Sequence, residues 1–253
     1  MLMLDRQNKI WEYVKQNKVA TVTELAHYFH VHDATIRRDL SQLETENKLR
    51  RTHGGVMIDN EVSSEPSFQE REPVQYNEKK RIGKIASTFI EDGSNIILDS
   101  GTTTIHIADY IMDKKDITVV TNDINIASKF RFSPEIKVIV TGGILFPESY
   151  MLNGMITDQV LGDLQVHTAF IATPAFHYKL GLTHFDDNLA PAKKAMIRSA
   201  KKIIVLTDHT KIGKVSLHKV AKSEEIDILI TSEQLAEEEK KNLETMNIDV
   251  RLA

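Results

Sequence analysis

Four short polar sets carry groups able to bind or move charge: Asp99-Ser100-Gly101-Thr102-Thr103-Thr104, Thr121-Asn122, Thr141-Gly142-Gly143 and Thr207-Asp208-His209-Thr210-Lys211. Each follows directly on an aliphatic, β-branched run: Asn95–Leu98, Ile117–Val120, Ile136–Val140 and Lys202–Leu206. Backbone N–H groups and hydroxyls at a helix N-terminus make an anion site, so the Ser-Gly-Thr-Thr-Thr loop before a helical stretch is a candidate phosphate cradle. Lys211, with Lys193 or Lys194, adds positive charge. Ser and Thr after a strand also serve as caps. It is the four sets together, each at a strand's carboxyl end, that mark a ligand crevice. The candidate ligand residues are Asp99, Ser100, Gly101, Thr102, Thr103, Thr104, Thr121, Asn122, Gly142, Gly143, Asp208 and Lys211. Asp99, Asp186, Asp187 and Asp208 are the candidate bases for proton transfer. No spacing fixes two of them about one substrate carbon and no nucleophile–base pair is evident, so a sensor fits better than an enzyme, with a sugar-phosphate isomerase or deaminase carrying a regulatory head as the alternative.

A second cluster is basic. In Thr35-Ile36-Arg37-Arg38-Asp39-Leu40-Ser41-Gln42-Leu43, the apolar Ile36, Leu40 and Leu43 sit at i, i+4 and i+7 and must face a core. That turns Thr35, Arg37, Arg38, Ser41 and Gln42 outward, donors suited to phosphates and guanine edges. Arg50, Arg51 and His53 follow in a short hairpin. His27, His30, His32 and His53 have no finger spacing, and no cysteine or ordered carboxylate set completes a metal shell; neither a metal nor a cofactor is implied.

The elements that position these groups are legible from periodicity. Ile10, Trp11 and Val14 give one helical stripe; Leu25, Ala26 and Phe29 give a second, with Thr23 as its expected N-cap; Ile36, Leu40 and Leu43 give a third. The corner Phe29–Asp33 is too short for anything but a tight turn, which makes a helix-turn-helix. Lys48–Thr52 and Val56–Ile58 flank His53-Gly54-Gly55 and form the expected wing. Downstream, short apolar runs, with Thr168–Ile171 and Ile226–Ile230 added to the four above, alternate with helical stretches at Glu78–Ile90, Thr104–Met112, Ile124–Phe130, Ala192–Ala200 and Glu233–Met246. Alternation of this kind predicts an α/β domain with a mostly parallel sheet covered on both faces.

Composition bounds the rest. The chain has 253 residues, 41% hydrophobic and 27% charged, with 11 Gly and 6 Pro, which excludes collagen-like and wholly disordered classes. No cysteine means no disulfide framework and a cytoplasmic expectation. Met1–Lys9 lacks the apolar core of a signal peptide, and no run approaches the ~18 apolar residues of a membrane helix. A net charge of −4 argues against nucleic acid until it is divided. Residues 1–58 hold nine bases against seven acids, a net of +2; the remaining 195 hold 23 against 29, a net of −6. Between them, Asn60–Tyr76, with Pro66 and Pro73, reads as a linker. The expected organisation is a winged helix-turn-helix at 1–58, a linker at 59–76 and an α/β sensor domain at 77–253.

The segment Thr21–Val56, TVTELAHYFHVHDATIRRDLSQLETENKLRRTHGGV, closely resembles the winged helix-turn-helix of the DeoR family of bacterial transcription regulators. EKKRIGKIA (Glu78–Ala86), LDSGTTT (Leu98–Thr104), VTN (Val120–Asn122), TGG (Thr141–Gly143), Asn153-Gly154 and TDHTK (Thr207–Lys211) resemble that family's sensor domain. The resemblance covers essentially the whole chain. It implies a regulator, usually a repressor of a sugar-use operon, that binds operator DNA as a homodimer or homotetramer and is relieved by a phosphorylated sugar. It also implies a sensor fold similar to ribose-5-phosphate isomerase and CoA transferases. His32 stands where the family usually has Ser, leaving Asp33 as the candidate cap of the third helix. Ala172–Tyr178 is bulkier than the glycine-containing turn usual there, and with Asp186–Asn188 it is expected to shape the sugar end of the pocket.

Overall fold

Thr21 and Glu24 begin the second helix of the head by satisfying each other's backbone: Thr21 Oγ1 accepts from the Glu24 N–H, and Glu24 Oε2 accepts from the Thr21 N–H. This capping box moves the cap from the expected Thr23 to Thr21, because two orphan donors are satisfied at once there. In the computed structural model, which describes residues 3–45, 49–52, 54–57, 66–246 and 248–253, the head runs α1 (Met3–Asn17), β1 (Val19–Thr21), α2 (Val22–Phe29), α3 (Asp33–Thr45), β2 (Arg50–Thr52) and β3 (Gly55–Met57). α2 stops at His30, which takes the left-handed conformation with φ 52°. His32 then accepts the N–H groups of Thr35 and Ile36 through its carbonyl as α3 begins. Ile36, Leu40 and Leu43 are at most 1% exposed and meet Ile10, Val14 and Leu25, each such side chain contributing ~1.5–3 kcal/mol of burial. The wing is a three-stranded sheet, since β1 pairs with β3 on the side opposite β2. Gly54, at φ +97°, makes its turn.

The rest of the chain is built of α4 (Phe68–Arg71), α5 (Tyr76–Ser87), β4 (Asn95–Leu98), α6 (Ile105–Ala108), β5 (Ile117–Thr121), α7 (Ile124–Lys129), β6 (Ile136–Val140), β7 (Ile144–Phe146), β8 (Met151–Asn153), α8 (Met155–Gly162), β9 (Val166–Ala172), β10 (Ala175–His177), β11 (Gly181–His184), α9 (Ala190–Arg198), β12 (Ala200–Leu206), β13 (His218–Ala221), β14 (Ile228–Thr231), α10 (Glu237–Glu244) and β15 (Asp249–Leu252). Seven strands form one parallel sheet in the order β15-β14-β12-β9-β4-β5-β6. The central strands are buried on both faces: Ile96 and Leu98 of β4 enter one core while Ile97 enters the other, which is why β4 reads as an unbroken apolar run after Asn95. From β4 the chain steps outward to β5 and β6, then returns to place β9 on the other side of β4. The topological switch therefore falls between β4 and β9, where open α/β sheets bind ligands.

The short antiparallel pieces β7–β8 and β10–β11–β13 have no counterpart in the sequence reading, being three or four residues long. Within the expected linker, Ser67 caps α4 through a second capping box and Phe68 is buried in the sensor core; residues 58–65 lie outside the described residues. The head rests on the sensor through a small apolar seam, Val19 and Met57 against Val215 and Leu217, all buried.

Candidate functional site

The candidate nucleic-acid face is built on α3. Arg37 and Arg38 are exposed on it, as are Ser41 and Gln42, while Thr35 is half-buried. Ser41 and Arg51 bond to each other: the Arg51 guanidinium donates to Ser41 Oγ at 2.8 Å, and Ser41 donates to the Arg37 carbonyl at 2.9 Å. The Arg51 N–H also donates to Glu44 Oε1 at 3.1 Å. These bonds fix the wing against the helix; Arg37, Arg38 and Arg50 are exposed. His53 lies outside the described residues.

Behind this face is an ion pair that pattern reading missed. Asp39 is 1% exposed and accepts from Arg6 Nε at 2.6 Å and Nη2 at 3.2 Å, which pins α1 to the recognition helix. The hydrogen bond to Asp39 holds the Arg6 guanidinium above its ordinary pKa. The signal was available in position: Asp39 lies at i+3 from Ile36, on the stripe that must be buried.

The second site is a cavity of about 300 Å³ at the carboxyl ends of β4, β9 and β12. Ser100, Gly101, Thr102 and Thr103 form one wall. The loop is held from behind. Ser100 N–H donates to Asn122 Oδ1 at 3.2 Å, Ser100 Oγ donates to Asp123 Oδ2 at 2.7 Å, and Thr104 Oγ1 donates to the Asp99 carbonyl at 2.7 Å. Gly101 has no room for a side chain, since a Cβ would fall 2.7 Å from that of Ala172. The hydroxyls of Thr102 and Thr103 are not drawn into these bonds.

The opposite walls carry charge. Arg71 from α4, Lys79 from α5, Lys193 from α9 and Lys211 all line the cavity, with Glu70 and Asp208 as its acids. Lys79 is 4% exposed, and its Nζ donates to the Arg71 carbonyl. Lys193 Nζ donates to Asp99 Oδ2 and, at 2.9 Å, to the Ala172 carbonyl. Burial pushes the Asp99 carboxyl up while Lys193 opposes that shift. Asp208 caps the turn His209–Lys211 by accepting from the Thr210 N–H and hydroxyl. His184 completes the lining; burial, helped by Lys193, pushes its imidazole down to about 3. Its Nδ1 accepts the Asp186 N–H at 3.1 Å, which leaves the proton of the neutral ring on Nε2.

Of the expected ligand residues, Ser100, Gly101, Thr102, Thr103, Asp208 and Lys211 are together in this lining. Asp99 and Thr104 stand directly behind it. Thr121, Asn122, Gly142 and Gly143 are not part of the lining: β5 and β6 lie one and two strands beyond the switch. Asn122 instead joins the loop to β8, its Nδ2 donating to the Leu152 carbonyl and to Asn153 Oδ1, both at 3.2 Å. In the bulky turn, Ala172, Thr173 and Pro174 line the cavity. Phe176 is buried in the core, His177 and Tyr178 stack on each other, and Asp186 lines a neighbouring cavity of about 240 Å³. Arg71, Lys79 and His184 were missed, although Lys79 shares a helical stripe with Ile82 and Ala86, an odd place for an exposed lysine. Among the described residues, no cluster of three or more His, Asp or Glu side chains could hold a metal, and no helix is long and apolar enough to cross a membrane.

Residues 6–62 match the DeoR-like helix-turn-helix domain and residues 74–233 the DeoR C-terminal sensor domain. The chain is 34% identical over 250 residues to the uncharacterized HTH-type transcriptional regulator YulB of Bacillus subtilis, covering 99% of this chain and 96% of that one. It is 30% identical over 253 residues to the HTH-type transcriptional regulator GolR of Listeria innocua, covering all of both, and 32% identical over 232 residues to the HTH-type transcriptional repressor GlcR of Bacillus subtilis, covering 91% of this chain and 89% of that one. Among solved structures it is similar to ribose-5-phosphate isomerase A from Methanocaldococcus jannaschii, at 15% identity and a TM-score of 0.41 over 55% of each chain. With both of its domains matched in order and full-length relatives on either side of one-third identity, the chain belongs to the DeoR family of helix-turn-helix transcriptional regulators.

Proposed function

We propose that this regulator is a cytoplasmic repressor of a sugar-use operon, released from its operator by a phosphorylated sugar bound in the 300 Å³ cavity. Two heads on a symmetric oligomer read half-sites separated by a multiple of ~10–10.5 base pairs. Thr35, Arg37, Arg38, Ser41, Gln42, Arg50, Arg51 and His53 are the residues assigned to operator DNA. The effector favours a state in which the heads are spaced wrongly for the operator. The GlcR relative is itself named a repressor.

The observation that carries the effector reading is the charge of the lining. Among the described residues, Arg71, Lys79, Lys193 and Lys211 line it with the acids Glu70 and Asp208, and Lys193 is paired with Asp99. A phosphate monoester brings a charge of about −1.5 to −2 with strong acceptor oxygens, which suits a wall carrying Arg and Lys. The Gly101–Thr103 loop supplies N–H groups and the hydroxyls of Thr102 and Thr103 to that phosphate. Neutral His184, donating from Nε2, suits a sugar hydroxyl.

A panel of sugar phosphates, each incubated with the protein and followed by thermal shift and by product analysis, tests this. One member should raise the melting temperature without turnover, and Thr102→Val should lose that response while still binding operator. A panel with no response, turnover of any member, or a full response in Thr102→Val would overturn the reading.

A further inference from the structure

A short stretch of chain joins the effector cavity to the DNA-binding head. Thr210 and Lys211 line the cavity, while Val215 and Leu217 belong to the apolar seam with Val19 and Met57 of the head. Only Ile212, Gly213 and Lys214 lie between Lys211 and Val215. The stretch is held on both sides of its middle: Ile212 bridges to Phe176 of β10, and the Ser216 N–H donates to Thr183 Oγ1 of β11 at 2.8 Å. Those two strands reach the cavity themselves, since Thr173 before β10 and His184 at the end of β11 both line it. On the head's side the fit is close. A Cβ on Gly55 would fall 2.6 Å from Leu217 Cδ1, so Leu217 sits directly on the backbone of β3. Gly55 in turn pairs with Thr52 of β2, the strand that carries Arg50 and Arg51. The seam is small beside the head's own core, four buried side chains against eleven. It can part while the head stays folded, as small contacts between domains do.

We infer that residues 212–217 are the relay through which the cavity controls the head. A phosphate held at Thr102 and Thr103 draws Thr210 and Lys211 inward. With only Ile212, Gly213 and Lys214 to take up the movement, Val215 and Leu217 are pulled off Val19 and Met57. The released head then loses the fixed spacing that the operator needs. An effector acts in this way only by binding the parted state more tightly than the docked one. Lys211 is the lining cation on the chain that leads to the seam, whereas Arg71, Lys79 and Lys193 stand on α4, α5 and α9. The relay rests on the effector reading; the docking of the head on Val215 and Leu217 does not.

Because the chain has no cysteine, a single introduced thiol reports on the seam in the full-length protein. Met57→Cys, at a side chain with no exposure, and Val19→Cys as a second reporter are labelled with a maleimide. Labelling is timed with and without inorganic phosphate and each sugar phosphate of the panel, and the melting temperature is measured beside it. Compounds that raise the melting temperature should speed labelling by about fivefold or more. Ala26→Cys, buried in the head's own core, reports unfolding of the head and should not respond. Leu217→Ala added to either reporter should give fast labelling with no compound present, keep the rise in melting temperature, and gain less than about twofold from the compound. A compound that raises the melting temperature yet leaves both reporters unchanged, or that speeds Ala26→Cys equally, would overturn the relay and leave the effector reading standing. Slow labelling in the Leu217→Ala proteins would overturn it as well. If no compound raises the melting temperature, the effector reading falls and the relay falls with it.

Discussion

Replacing Lys193 by Met keeps the stem but removes the ammonium that faces Asp99. Asp99 is 1% exposed and Lys193 6% exposed, so neither group has water to replace its partner. With the ammonium gone, the carboxylate still accepts the Ala172 N–H at 3.0 Å, but it has lost its counter-charge. A buried charge left uncompensated costs ~3–5 kcal/mol. At ~2–4 °C per kcal/mol for a protein of this size, the melting temperature should fall by about 6–20 °C at pH 8. The carboxyl has one escape, which is to take up a proton, and burial already pushes its pKa up. A carboxyl whose folded-state pKa lies above its unfolded value of ~3.9 binds its proton first in the native state, so native stability recovers as pH falls. The deficit of Lys193→Met should therefore be smaller at pH 5 than at pH 8. Differential scanning fluorimetry at the two pH values measures both quantities. Adding Asp99→Asn to the variant should restore most of the loss, since no charge is then stranded. A fall of less than ~2 °C, equal deficits at both pH values, or additive losses in the double variant would refute the picture of a carboxylate held by Lys193.

Other outcomes follow from the same structure. Arg37→Ala or Arg38→Ala should weaken operator binding by ~1–3 kcal/mol where the side chain reads a base, or lower the salt slope by ~1 where it meets phosphate; fluorescence anisotropy at several salt concentrations distinguishes the two, and unchanged binding in both variants would remove the role. Arg6→Ala strands the buried Asp39 and should destabilise the head by roughly 3 kcal/mol, visible as early loss of operator binding on heating; a variant that melts and binds like the wild type would show that α1 is not pinned through this pair. His184, with its pKa pushed down to about 3, stays neutral in the native state while the unfolded chain protonates near pH 6.5. Stability tied to it is present above pH 6.5 and lost as pH falls, amounting to about 2 kcal/mol between pH 7 and pH 5. His184→Gln should lack that increment in a comparison of denaturation midpoints at the two pH values, and an identical pH dependence in variant and wild type would exclude a buried neutral imidazole.

Much of this protein is written locally. The i, i+4, i+7 stripe of Ile36, Leu40 and Leu43 sets which face of α3 carries Arg37 and Arg38, because helical period alone decides it. The runs Asn95–Leu98 and Ile136–Val140 became β4 and β6 with unchanged bounds; β4 is apolar after Asn95 because both its faces are buried, while the edge strand β6 carries the exposed Lys137. The polar sets fell at one edge of the sheet because all seven strands are parallel, which the alternation with helices already required. Strand order is a different kind of fact. Nothing in the runs themselves says that β9 inserts between β4 and β12, yet that insertion puts the cavity against Ser100–Thr103 and Asp208–Lys211 and leaves Asn122, Gly142 and Gly143 outside its lining. The same insertion brings Lys193 to Asp99 across 94 positions of sequence, as the packing of α1 on α3 brings Arg6 to Asp39 across 33. Periodicity records whether a side chain is buried; which partner it meets there is settled by packing between elements distant in the chain, and only the assembled sheet and helices supply that.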